Sequence, residues 1–219
     1  MHINFAQVFI SFVALVFSLT VHESAHAWTA DRLGDPTARA LGRISLNPLV
    51  HADPIGTFLF PLVGLLTGAP LIGWAKPVPV STWRFASPRR DYLLVAAAGP
   101  VSNLALAFVA AVLLKLLPGA AFAAGAAASM APGAALLAPV ASLVWTVLAI
   151  NLLLAVFNML PIPPLDGGTV LAGLLPERLA TGFDRLRPYG FLLLYVLLFS
   201  GGFSLVVGTP YRYLLSWLT

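Results

Sequence analysis

Three stretches of this chain, residues 3–28, 92–117 and 140–160, are apolar over the length of about 20 residues that a helix needs to cross a bilayer. Lipid offers a backbone no hydrogen-bonding partner, so segments of this kind fold as helices that satisfy themselves. The rest of the chain supports the same solvent. Only 9% of its residues are charged and 59% are hydrophobic, whereas a soluble domain carries about a quarter charged residues. The expected fold is an all-α polytopic membrane protein, with residues 1–219 forming a single membrane-embedded domain. The first apolar run has no basic segment before it and no small-residue cleavage site, so it is expected to be a retained transmembrane helix rather than a signal peptide.

Turn residues divide the chain further. Helix one is expected over residues 3–31, helix two over 92–117, helix three over 140–160 and helix four over 189–207, followed by a short aromatic tail at 211–217. Residues 118–138 are rich in Ala and Gly and read as an outer loop or a marginal helix. Residues 55–71 are apolar but broken by Gly56, Pro61, Gly64, Gly68 and Pro70, which argues against a straight spanning helix. Residues 73–81 alternate and carry prolines, the pattern of an edge strand or an extended loop. The basic residues orient this layout. Arg32, Arg39 and Arg43 follow helix one; Lys76, Arg84, Arg89 and Arg90 precede helix two; Arg178, Arg185 and Arg187 lie between helices three and four. All three groups share one side if residues 55–71 enter the membrane and return, and that side is expected to be cytoplasmic. If residues 55–71 span, Lys76 to Arg90 move to the opposite face.

The chemistry is concentrated in His22-Glu23-Ser24-Ala25-His26. Positions i and i+4 of a helix project from one face, so both imidazoles can reach one zinc ion. Glu23 can take a proton from a water at that ion. Ionisable groups near the end of an apolar helix are costly, which favours a functional role over an incidental one. A catalytic zinc site needs a third protein ligand. Asp166 is the preferred candidate, because it has apolar flanks and is followed by Gly167 and Gly168, which would let the backbone turn the carboxylate inward. His51 and Asp53, in the loop after helix one, are the alternatives. The chain has no cysteine, so thiolate ligands and disulfides are excluded. Its net charge of +4 is spread over loops without a basic stripe, so no nucleic-acid partner is expected.

The order of these motifs resembles a known family. The H-E-x-x-H helix, then Gly99-Pro100-x-x-Asn103, then Asn158-x-x-Pro161-x-x-x-Leu165-Asp166-Gly167, is similar to the site-2 protease family of intramembrane zinc metalloproteases. The stretches at residues 42–48 and 73–80 are similar to its small prokaryotic members, without inserted peptide-binding or nucleotide-binding regulatory domains. The resemblance implies a core of three transmembrane helices bearing the zinc site, at least one further C-terminal helix, and a re-entrant or β-like segment after helix one. It implies one Zn2+ per chain held by His22, His26 and Asp166, with Glu23 as general base. Asn158 corresponds to an asparagine near the scissile carbonyl, and its amide could equally serve carbonyls freed by Pro161 and Pro163. Close helix packing is the role read for Gly99, Pro100 and Asn103. Residues 73–80 are read either as an edge for an extended substrate or as a structural loop.

The expected activity is hydrolysis of peptide bonds within or near the transmembrane segments of membrane proteins, in a lipid bilayer. The expected location is the prokaryotic inner membrane, with the active site toward the cytoplasm. Two alternatives stand beside it. A catalytically silent client-binding protein would have broken motifs, whereas Glu23 and all three candidate ligands are present. A zinc transporter would need a polar path across the bilayer, whereas the outer halves of these helices carry almost no ionisable residue.

Overall fold

The computed structural model describes residues 5–60, 63, 74–117 and 134–219. Three of its helices are long and apolar enough to cross a membrane: α1 (Phe5–Arg32), which ends at the first basic loop, and two more introduced below. Two short helices, α2 (Thr37–Ala40) and α3 (Pro48–His51), follow it. A π-helical turn at Pro54–Leu59 and a 3-10 turn at Thr82–Arg84 complete the connection. The second long helix is α4 (Pro88–Leu116) and the third is α5 (Ala134–Asn158). Beyond them lie α6 (Asp166–Leu174), α7 (Glu177–Asp184), α8 (Gly190–Phe199) and α9 (Thr209–Leu218). Among the described residues there is no strand.

Helices α1 and α4 run antiparallel and α5 runs parallel to α1. Near the start of α1, Gln7 bonds to Thr146 and Ser142 of α5. One stage further along both helices, Ser18 meets Asn151. At the far end of α1, Ala30 packs with Phe85 and with Val95, early in α4. The α4 face turned inward is built of small residues, Ala96, Gly99, Asn103, Ala107 and Ala110, all buried. Small side chains at this spacing let backbones approach where lipid provides no hydrophobic drive between helices. Large apolar side chains such as Phe9, Phe108 and Phe191 are exposed on the outside of the bundle, as a lipid-facing surface requires.

Helix two begins a turn earlier than its apolar run. Pro88 occupies the first helical position, where a missing N–H is harmless, and the Ser87 N–H donates to the Asp91 carboxylate at 2.9 Å. The larger correction concerns helix four, expected as one element over residues 189–207. It is broken at Gly201, whose φ of 77° lies in the left-handed region that a side chain disfavours. The two arms, Arg187–Phe199 and Ser204–Leu218, meet at 83°. Leu194 and Phe203, from opposite sides of the break, pack on Leu160, Leu165 and Val207, so the bend seats the C-terminal helices against the turn that carries Asp166. Apolar composition runs through the break and cannot reveal it.

Of residues 55–71, the described part is the helical start and Val63; the remainder, like residues 118–133, lies outside the described residues. The two flanks are close together. The Trp74 N–H donates to the Gly56 carbonyl at 3.2 Å, and the Thr57 hydroxyl donates to the Trp74 carbonyl at 3.0 Å. The described chain on either side of residues 64–73 therefore meets at Gly56, Thr57 and Trp74. From Trp74 to Val80 the chain has no helix or strand.

Candidate metal centre and active site

His22 and His26 sit on the buried face of α1, one turn apart, as their spacing dictates. Asp166 arrives from the other side, as the first residue of α6 just beyond the end of α5. Its position depends on two glycines, for a reason other than the one read from sequence. Neither Gly167 nor Gly168 has a positive φ. A Cβ on Gly167 would lie 2.3 Å from the Met159 carbonyl oxygen, and one on Gly168 would lie 2.7 Å from the Pro163 nitrogen. Absence of a side chain permits close approach of α6 to the preceding turn, and that approach carries the carboxylate to the histidines.

The three side chains converge. His22 Nε2 lies 3.0 Å from His26 Nε2 and 3.2 Å from Asp166 Oδ2, and His26 Nε2 lies 3.5 Å from Asp166 Oδ1. Ligand atoms about 2.0–2.1 Å from a tetrahedral zinc lie roughly 3.3 Å apart. The two imidazole nitrogens and the carboxylate have spacings near this, with each histidine facing a different oxygen of Asp166 and one ligand atom from each residue within 4.8 Å of the others. The protons are also in the right places. His22 Nδ1–H donates to Asn103 Oδ1 at 2.6 Å, and His26 Nδ1–H donates to the Val95 carbonyl at 2.7 Å. Each Nε2 therefore presents a lone pair inward. Asp166 Oδ2 is buried without a hydrogen-bond donor. Lone pairs facing each other in a buried pocket repel unless a cation lies between them, so this donor set fits a divalent metal. No other such group of three His, Asp or Glu side chains occurs among the described residues.

The other two candidate ligands are engaged elsewhere. Asp53 Oδ1 accepts the N–H groups of Ile55 and Gly56 at 3.0 and 2.7 Å, capping the π-helical turn. His51 Nε2–H donates to the Ser45 carbonyl at 2.8 Å. Burial, together with Arg43, holds His51 below its usual pKa against the pull of that carbonyl, so it stands neutral. Glu23 is half-buried, and its Oε2 accepts the Val78 N–H at 3.0 Å. Asn158, the second catalytic candidate, donates its amide to the Leu154 carbonyl one turn back, at 3.0 Å.

Sequence reasoning missed a network behind His22. Asn103, read as a packing residue, accepts from His22 and donates its own amide to Asn151 Oδ1 at 2.8 Å. Asn151 donates in turn to Ser18 Oγ and to the Val147 carbonyl, both at 2.8 Å, and Ser18 donates to the Ala14 carbonyl at 2.7 Å. Asn103, Asn151 and Ser18 are fully buried, and their amide groups are used from both ends. Partners of this kind fix the tautomer and direction of a metal-binding imidazole. Asparagines inside apolar helices were the available signal, since a polar group at membrane depth must find a partner. Gly99 also belongs to the site. A Cβ there would come within 2.5 Å of His22 Cε1 and His26 Nε2.

Comparison with known proteins bears on the family. The profile described as peptidase family M50 matches residues 10–200. A Bacillus subtilis protein named "Putative zinc metalloprotease YwhC" is 39% identical over 185 residues, covering 84% of this chain and 78% of that protein. A Mycobacterium tuberculosis protein named "Putative zinc metalloprotease Rip2" is 31% identical over 199 residues, covering 88% of this chain and 68% of that one. Its namesake from Mycolicibacterium smegmatis is 31% identical over 205 residues, covering 90% and 70%. No solved structure gives a significant match.

Proposed function

Since this chain belongs to peptidase family M50 and is an intramembrane zinc metalloprotease, we propose that His22, His26 and Asp166 hold its zinc and that Glu23 is the general base of peptide hydrolysis. The observation that carries this assignment is the convergence of three inward lone-pair donors whose remaining protons are committed to Asn103 and Val95. Residues 1–219 are taken as one membrane-embedded metalloprotease domain, in keeping with a family match that runs from α1 into α8.

Zinc held by His22, His26 and Asp166 would supply Lewis acidity, to polarise a substrate carbonyl and to make a water easier to deprotonate. The protein's own side chains do the rest. Asn103 and the Val95 carbonyl keep both imidazoles in the ligating tautomer. Glu23 takes a proton from the attacking water through the oxygen not held by Val78, and returns it to the departing amide nitrogen. Asn158 is the last residue of α5, directly before the connection that leads to Asp166. Its amide, released from Leu154, is the proposed donor to the developing oxyanion.

The substrates are membrane proteins in a bilayer. We propose that cleavage falls in or near a transmembrane segment that has locally unwound, because helical hydrogen bonds otherwise shield the scissile carbonyl. Helix-weakening residues in a substrate's span should therefore favour cleavage. The active site is assigned to the cytoplasmic side of a prokaryotic inner membrane. Support comes from the placement of basic residues: Arg39 pairs with Asp31 at the end of α1, Arg84 lies beside Asp35, and Arg89 donates to the Ala172 carbonyl of α6. All of these lie at the end of the bundle where α1 ends, α4 begins and Asp166 sits.

The test is to measure zinc content and cleavage of a model transmembrane substrate on one detergent preparation. Glu23→Gln should keep about one zinc per chain and lose roughly two to four orders of magnitude in rate. His22→Ala and Asp166→Ala should lose zinc and activity together. Parental cleavage by Glu23→Gln would remove the general-base role, and full zinc occupancy in Asp166→Ala would remove the third ligand.

A further inference from the structure

Glu23 is held by a backbone amide that the sequence isolates. Pro77 and Pro79 have no N–H, so Val78 supplies the only amide hydrogen between Lys76 and Val80. That hydrogen is donated to Glu23 Oε2 at 3.0 Å, across 55 residues of chain. The segment that presents it is anchored on both sides. The Lys76 N–H donates to the His51 carbonyl at 2.8 Å. Arg43 Nη2 donates to the carbonyls of Lys76 at 2.5 Å and Pro77 at 3.0 Å, while its Nη1 bonds to the Val50 carbonyl.

Arg43 is itself buried, at 6% exposure, and forms no ion pair among the described residues. It follows Gly42, whose φ of 67° makes the turn, and its own N–H donates to the Ala38 carbonyl at 2.9 Å. A buried guanidinium is costly. Here it is used to grip three main-chain carbonyls, and two of those belong to the residues immediately before the amide that touches Glu23. A planar fork suits this use, whereas an ammonium cannot span the three acceptors with the same geometry.

We propose that Lys76–Val78, fixed by Arg43, is a positioning element for the general base: the Val78 N–H holds Glu23 Oε2 and so aims the other carboxylate oxygen. A glutamate has three rotatable bonds, and one fixed oxygen orders the carboxylate plane before substrate arrives. Misplacement of a catalytic group by about 1 Å costs on the order of 100-fold in rate. Because these residues act on Glu23 and not on the metal, the loss should fall on kcat. This inference rests on Glu23 being the general base.

Val78→Pro removes the hydrogen and suits a residue already confined to extended backbone by Pro79. Val78→Ala removes only the side chain and serves as its reference. On zinc-loaded protein in detergent with a model transmembrane substrate, Val78→Pro should have a kcat roughly 10–100-fold below that of Val78→Ala. Its KM should agree within about twofold and its zinc content should be equal. In a Glu23→Gln background, Val78→Pro and Val78→Ala should be equally slow, since there is no base left to aim. Arg43→Lys should reproduce the kcat loss, and it carries the test if Val78→Pro does not yield folded protein. Equal kcat for the Val78→Pro and Val78→Ala variants overturns the proposal while leaving Glu23 as base, provided Glu23→Gln is inactive. A faster Val78→Pro would overturn it in favour of a latch, and a change in KM alone in favour of a substrate edge. If Glu23→Gln cleaves at the parental rate, the underlying reading fails first.

Discussion

Asn103→Ala tests whether the buried amide network serves the metal or only packs helices. The substitution removes the acceptor 2.6 Å from His22 Nδ1 and the donor 2.8 Å from Asn151 Oδ1. Two fully buried polar groups are then stranded. Each costs about 1–3 kcal/mol, so the zinc-free protein should lose roughly 2–6 kcal/mol of stability, less whatever a water entering the space restores. The effect on zinc is separate. Without Asn103, nothing obliges the His22 proton to sit on Nδ1 or the ring to point at Asp166. Loss of such a partner weakens metal binding by about 10–100-fold, equivalent to about 1.4–2.7 kcal/mol. The assay is competition for zinc against a chelator of known affinity, on detergent-purified protein whose helical content matches the parent. Ser102→Ala is the control. Its hydroxyl donates to the Gly99 carbonyl on the same helix at 2.7 Å and touches neither histidine. A zinc affinity within twofold of the parent, alongside a lowered melting temperature, would refute the positioning role and leave Asn103 as a packing residue.

Gly99→Ala should yield a folded protein with zinc occupancy well below one per chain. The added Cβ meets two rings that Asn103 and Val95 prevent from moving; full occupancy would show that the rings can give way. Asp35 provides the pH-dependent case. Burial opposes its charge, but donors from Thr37 and Ser81, with Arg84 nearby, hold its pKa below the ordinary value. A carboxyl whose folded pKa is depressed stabilises fully above its unfolded pKa near 3.9, and that contribution is lost as pH falls through the folded value. The melting temperature of zinc-free parent should therefore exceed that of Asp35→Asn at neutral pH, with the gap narrowing only below about pH 4. A gap independent of pH would place the effect in packing. For topology, the cysteine-free chain permits single substitutions. Ala40→Cys, Ser87→Cys and Thr181→Cys, all at exposed positions, should react with an impermeant thiol reagent from the cytoplasmic side, and labelling of Ser87→Cys alone from outside would mean that residues 55–71 span and that the helix arrangement is wrong.

The parts legible in the sequence are those set by local geometry. Membrane immersion follows from apolar stretches that only a self-satisfying helix can carry through lipid. His22 and His26 were legible as partners because 3.6 residues per turn places i and i+4 together whatever surrounds them. The broken fourth helix was not legible, because Gly201 inside an apolar run signals a turn only once its φ is known. The roles of Gly167 and Gly168 were assigned to turning when the folded chain uses them for contact. The Asn103–Asn151–Ser18 relay and the Val78–Glu23 bond were beyond reach for a common reason. Each joins residues 48 to 133 positions apart, and whether two such groups meet depends on how far helices rotate and slide against one another or, for Val78, on where a non-helical connecting segment is laid against α1. That register is decided by the small-residue face of α4 packing against α1 and α5 as a whole. A hydrogen bond reports it only when both partners have already been brought within about 3 Å.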